Sequence, residues 1–178
     1  MSTALTQRGL RDAFALFATG VTVVTAVRPD GTPVGVTANS FTSVSLAPPL
    51  LLWCLASGSS AAPAFTHAAP FAVHILAHHQ LDLALNFARR TGDKFDAEHH
   101  WRNKPQPPHL AEALCRFDCR LHAVHPGGDH LIIVGEVLHI AHAPGTPLAF
   151  HGGRFGNFSA DRGIGKVDIW EGLDDHWY

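Results

Sequence analysis

The sequence predicts a mainly β domain: an antiparallel barrel or sandwich with two packed helices. Short runs rich in Val, Thr and Leu outnumber the helical stretches, and Gly- and Pro-containing turns join neighbouring runs into hairpins. Regular βα alternation is missing, and no Gly-x-Gly-x-x-Gly follows the first strand, so a doubly wound dinucleotide-binding domain is set aside. At 178 residues the chain fits one domain with a sizeable core.

Leu10, Phe14 and Phe17, with Ala13 and Ala18, predict an N-terminal helix with one apolar face, ended by Gly20. Val21 to Val27 reads as a strand. In Pro29-Asp30-Gly31 the proline presets φ, the aspartate can bond its own backbone and the glycine accepts positive φ, so Val34 should return as a hairpin partner. Pro48-Pro49 marks the next turn and Leu50 to Leu55 a buried strand. Ser59 or Ser60, with Pro63 soon after, opens a short helix. Phe71 to Leu76 is a strand, and His79 to Arg89 a helix with Leu81, Ala84, Leu85 and Ala88 on one stripe and Gly92 as its cap. Pro105 to Pro108 reads as a surface connection. Leu114 to Val124 alternates with period two, Gly127-Gly128 turns the chain, and Leu131 to Ile140 completes a hairpin with Asp129 and His130 at its mouth.

The net charge is -2 with Lys and Arg scattered, which argues against nucleic acid as a partner. The longest apolar run, Pro48 to Leu55, is too short for a bilayer span, and the first residues lack a charged and then apolar leader. No membrane role is expected, and the cytoplasm is the default location. Cys54, Cys115 and Cys119 are odd in number and form no Cys-x-x-Cys pair. Cys115, Phe117, Cys119 and Leu121 share one side of their strand, which makes both cysteines small core residues. The 14 histidines include His78-His79 and His99-His100 but no zinc-binding spacing, so no metal is expected.

The segment from Val36 to Leu46 carries no charge, and six of its eleven residues are Ser, Thr or Asn. Small neutral donors on an extended, β-branched backbone suit a wall against a polar, planar or phosphorylated ligand. A Ser/Thr-rich edge strand has the same composition, and the segment alone leaves both readings open.

Taken together, several motifs resemble one family. They are Phe17-Ala18-Thr19-Gly20-Val21-Thr22-Val23-Val24-Thr25, the run Thr37 to Ser45, Pro48-Pro49, Ser59-Ser60, Lys94-Phe95, Gly128-Asp129-His130 and Gly135-Glu136-Val137. Their order and spacing are similar to the flavin reductases, the reductase partners of two-component flavin monooxygenases. The resemblance covers about Leu10 to Phe158. It implies an antiparallel Greek-key split barrel over residues 1–158. Residues 159–178 lie beyond the resemblance as a C-terminal extension, whose aromatic and acidic residues suit either a segment folded over the barrel or a partner, or a short disordered interaction tail. It implies hydride transfer from NADH or NADPH to FMN or FAD, a homodimer, and a separate monooxygenase that receives reduced flavin. By resemblance, Thr37, Ala38, Asn39, Ser40, Phe41 and Ser43 line the flavin. Ser59 and Ser60 bind its phosphate at a helix N-terminus, Lys94 adds positive charge and Phe95 packs beside it. His130 positions the nicotinamide. Phe155, where relatives often carry tyrosine, offers it an aromatic face without the phenol. A flavin-dependent oxidase or oxygenase, and a flavin or haem carrier, are the alternatives on this scaffold.

Overall fold

The computed structural model describes residues 5–67, 69–90, 92, 94–95, 101–102, 107–110 and 112–158. The C-terminal extension 159–178 and the His99-His100 pair lie outside them. The elements are α1 (Gln7–Phe14), β1 (Thr19–Gly20), β2 (Thr22–Val27), β3 (Pro33–Ala38), β4 (Thr42–Leu46), β5 (Pro49–Ala56), α2 (Ala62–Thr66) and β6 (Phe71–Ile75). After these come α3 (Leu81–Ala88), β7 (Trp101–Arg102), β8 (His109–Leu110), β9 (Cys115–Gly127), β10 (His130–His142), β11 (Leu148–His151) and β12 (Arg154–Asn157).

Seven strands form one antiparallel sheet in the order β3-β2-β6-β9-β10-β5-β4. Its two edges, β3 and β4, are consecutive in the chain and separated only by Asn39, Ser40 and Phe41. Such a link spans at most about 14 Å, whereas the edges of a flat seven-stranded sheet lie about 29 Å apart. The sheet must therefore curl until its edges meet. Hydrogen bonds mark the seam. Ala38 is still paired with Thr22 of β2, whose hydroxyl donates to the Ala38 carbonyl at 2.7 Å. Two residues later, Ser40 Oγ accepts from the Cys54 amide of β5 at 2.8 Å.

The hairpins follow from local chemistry. Between β2 and β3, Asp30 Oδ1 accepts from the Thr32 amide at 2.8 Å and Gly31 takes φ 85°. Between β9 and β10 a two-residue loop, Gly128-Asp129, turns the chain with Gly128 at φ 70°, and Gly127 pairs with His130. Strands β9 and β10 are longer than predicted, reaching Gly127 and His142.

One face of the sheet holds Val24, Trp53, Phe71 and Ile133, with Phe65 of α2 edge-on to Trp53 at 4.9 Å. Each such side chain contributes about 1.5–3 kcal/mol by leaving water. On the opposite face Val21, Val23 and Leu76 pack beneath Leu83, Ala84 and Phe87 of α3. The predicted stripe of α3 is therefore wrong: Leu85 is 44% exposed and Ala88 is exposed, while Leu83, Ala84 and Phe87 are buried. Gly35 decides this, because a Cβ there would stand 2.4 Å from the Phe87 ring. The bare backbone of β3 receives that ring. Arg89 caps the helix, its amide bonded to Asn86 O, so Gly92 lies beyond the cap.

Helix α1 also departs from expectation. Thr6 caps it, accepting from Gly9 N at 3.0 Å, and it ends at Phe14 rather than at Gly20, which belongs to β1 and pairs with Ala149. None of its residues is buried in this chain; Phe14 is 72% and Phe17 77% exposed.

Pro107 is buried rather than on a surface connection, and the Pro108 carbonyl accepts from Thr25 Oγ1 at 2.7 Å. Strand β8 thereby covers part of the polar side of β9. There His109 Nε2 meets Asp118 Oδ1 at 3.1 Å, and Arg116 grips the same carboxylate through Nε at 2.9 Å and Nη2 at 3.2 Å. His74 beside them is fully buried. Its Nδ1 donates to Val23 O and its Nε2 accepts from Leu110 N, both at 3.1 Å, which fixes the neutral ring. Burial pushes the His74 pKa down to about 3. Cys119 is a core residue, its thiol pushed up to about 12 by burial and then by Asp118, while Cys115 is only half-buried.

Candidate functional site

The Val36–Leu46 segment proves to be both edges of the sheet and the link between them, so the edge-strand reading describes its place in the fold. Its side chains divide by duty. Thr37 faces α3 and donates its hydroxyl to Ala84 O at 2.6 Å. Ser40 is spent on Cys54, and Phe41 stacks on Phe117 at 5.7 Å, nearly parallel. Ala38 is half-buried against the core. Asn39 and Ser43 remain exposed. A ligand on this wall would meet Asn39, Ser43 and the backbone, whereas Thr37, Ser40 and Phe41 hold the wall in shape.

Downstream of β5 the chain turns through Ser59 and Ser60 into α2. Ser59 Oγ accepts from Ala61 N at 3.2 Å, and the Ser60 carbonyl accepts from Arg28 Nη2 at 3.0 Å. Helix α2 has five residues, so its dipole is small. Attraction for an anion comes instead from side chains. A groove of 510 Å³ brings Ser59 and Ser60 together with Lys94, Arg89 and Arg90, and none of its described lining residues is acidic. Two further walls are Val36 of β3 and Phe87 of α3.

Lys94 is more than a surface charge. Its ammonium donates to Phe87 O at 3.1 Å and Gly35 O at 3.3 Å, bridging the end of α3 to β3. Burial lowers its pKa. Phe95 is half-buried, edge-on to Phe87 at 5.2 Å.

The β9–β10 tip lies beside this groove, since the Ser57 amide donates to the Asp129 carbonyl at 2.9 Å and His130 pairs with Ala56. His130 Nδ1 stands 2.7 Å from Asp129 Oδ1. A carboxylate only accepts, so Nδ1 carries a proton, and in the neutral ring Nε2 offers a lone pair. The Asp129 carboxyl is held below its ordinary range by the His130 hydrogen bond, with a smaller contribution from Arg11 of α1.

Asn39 opens onto a second groove of 560 Å³, between α1 (Arg11, Phe14) and the β11–β12 hairpin (Phe150, Gly152). The Gly152 amide donates to Ala15 O at 2.8 Å, tying that hairpin to the end of α1. Phe155 pairs with Phe150, ring to ring at 5.1 Å.

The fold thus gathers Ser59, Ser60 and Lys94 in one groove and sets His130 beside it, with Asn39 and Phe155 near the other. Sequence reasoning missed Arg89, Arg90, Arg11 and Phe150. The Arg-Arg pair just ahead of Lys94 was visible as a local concentration of positive charge, although cations at a helix C-terminus are also favoured by the dipole alone. Among the described residues no group of three His, Cys, Asp or Glu could hold a metal ion, and no helix is long and apolar enough to cross a membrane.

Comparison with known proteins bears on this geometry. Residues 14–159 match the flavin reductase like domain. The FMN reductase (NADH) SmoA of Agrobacterium fabrum is 51% identical over 152 residues, 85% of this chain and 86% of that protein. The reductase component of the flavin-dependent trigonelline monooxygenase of Acinetobacter baylyi is 44% identical over 83% of this chain, which spans 48% of that protein. The structure of the Streptomyces globisporus NADH:FAD oxidoreductase in complex with NAD and FAD fragments superposes with a TM-score of 0.84. It is 38% identical, covering 91% of this chain and 98% of that one. The chain belongs to the flavin reductase like domain family.

Proposed function

We propose that the chain is an NADH:flavin oxidoreductase that hands reduced flavin to a separate monooxygenase. The observation that carries this is the groove of Ser59, Ser60, Arg89, Arg90 and Lys94 beside the neutral seam, none of whose described lining residues is acidic. A phosphate with a planar, uncharged extension fits both parts at once. Relatives named as NADH-dependent FMN and FAD reductases, and as reductase components of monooxygenases, support the same reading.

When bound, flavin would supply the hydride acceptor, and NADH would be oxidised to NAD+. Every other task falls to the chain. Arg89 and Arg90 hold the phosphate by charge, while Lys94 keeps β3 and α3 together beneath it. Asn39 and the seam backbone bond the edge of the ring. His130, its tautomer set by Asp129, accepts at Nε2 from the nicotinamide carboxamide, and the Phe155 face confines that ring. Hydride transfer asks for distance and alignment rather than protein acid–base chemistry, so these are positioning roles.

We infer a homodimer as well. Its support is the apolar side of α1 and the turn after it, where Leu10, Phe14, Leu16 and Phe17 are all exposed. An NADH substrate puts the reaction in the cytoplasm. The test of the function is anaerobic stopped-flow absorbance at the oxidised flavin band, with protein and FMN or FAD mixed against NADH. Rapid bleaching is expected; flavin binding without bleaching would discard the reductase in favour of a carrier.

A further inference from the structure

Lys94, Ser60 and Ala61 line not one groove but two. The second groove, of 330 Å³, is lined by Arg28, Thr32, Pro33, Val34 and Phe95 in place of Arg89 and Arg90. Both volumes fall within the range of about 300–1,000 Å³ usual for small-molecule sites. No described residue lining either groove is acidic.

A flavin mononucleotide ends at its phosphate. With its phosphate on Arg89, Arg90 and Lys94, as proposed above, the mononucleotide would leave the second groove unfilled and the remaining donors of Arg28 unused. Arg28 is held in place, since it gives one N–H to the Ser60 carbonyl at 3.0 Å and its planar fork has four more donors. A second phosphate joined to the first would meet that fork, and a purine beyond it would cover Pro33, Val34 and the Phe95 edge. We propose that this second groove receives the adenosine monophosphate half of FAD, with Arg28 on its phosphate, so that the chain prefers FAD to FMN. This assignment rests on the flavin reading above and goes beyond it by naming the dinucleotide and the residue that selects it.

Titration of the full chain with FMN and with FAD, followed by flavin fluorescence, tests it in the wild type, Arg28→Ala, Arg28→Lys and Arg89→Ala. The wild type should bind FAD at least about fivefold more tightly than FMN, and Arg28→Ala should lose about tenfold in FAD affinity, the order of one charge-assisted hydrogen bond. FMN affinity should stay within about twofold in that variant, which also reports that the site is folded. Arg28→Lys should recover part of the loss, and Arg89→Ala should weaken both flavins alike. Equal loss of FMN and FAD in Arg28→Ala would make Arg28 a prop for the Ser60 turn and overturn the proposal. FAD affinity equal to that of FMN in the wild type, or unmoved in Arg28→Ala, would overturn it as well. Failure of the wild type to bind either flavin is a different result, and it would remove the flavin reading itself.

Discussion

His130 and His74 show what one imidazole can be made to do by its neighbours. His130 is half-exposed at a hairpin tip and bonded only to Asp129 among the described contacts. If Nε2 positions nicotinamide, His130→Ala should raise KM for NADH by about tenfold, as expected for one lost hydrogen bond. Flavin affinity from fluorescence titration should hold. A fall in flavin affinity instead would move His130 into the flavin pocket. His74 is buried, neutral and bonded on both nitrogens. Its folded pKa of about 3 lies below the 6.5 of the unfolded chain, so between those values the unfolded state binds more protons. Its share of stability is complete above pH 6.5 and declines as pH falls toward 3, by at most about 1.4 kcal/mol per unit. Urea unfolding across that window should show the decline, and His74→Asn, though weaker at neutral pH, should flatten it. The place of His130 at a hairpin mouth was legible because a Gly-Gly turn lies between two alternating runs, while its proposed role came from the family resemblance. His74 was not, since its partners Val23 and Leu110 are brought to it only by tertiary packing.

At the scale of elements, α3 and β3 depend on each other. The Phe87 ring occupies the space that a Gly35 side chain would need, and Lys94 bonds backbone from both elements. Gly35→Ala should therefore cost about 1–3 kcal/mol by overpacking, read as a lowered Tm. It should also weaken flavin binding, because lifting α3 moves Arg89, Arg90 and Lys94 together. A lower Tm with unchanged flavin affinity would detach the groove from this contact. Hairpins were readable from their turn residues, since Asp30-Gly31 and Gly128 act over two or three positions. The buried stripe of α3 was not: two overlapping apolar stripes are present, and a glycine on another element chooses between them. The cations that line the groove beside the short α2 come from a different part of the chain, so sequence proximity did not reveal them.

For the whole molecule, the curled sheet could be expected from the hairpin pattern, but the exposure of the apolar side of α1 could not. An apolar stripe has the same sequence whether it meets its own core or a second copy. If the α1 surface is the dimer contact, Phe14→Glu with Phe17→Glu should halve the mass seen by light scattering at micromolar concentration. A wild type that is already monomeric there would end the dimer reading. The seam has one more effect, unconnected with ligands. Edge strands offer unpaired amides and carbonyls to any passing chain, and β3 and β4 are built of Val, Thr and Ser, which pair readily. By joining the two edges through three residues and fastening Ser40 to β5, the fold turns each toward the other. The same short link that shapes the wall thus guards the protein against edge-to-edge aggregation.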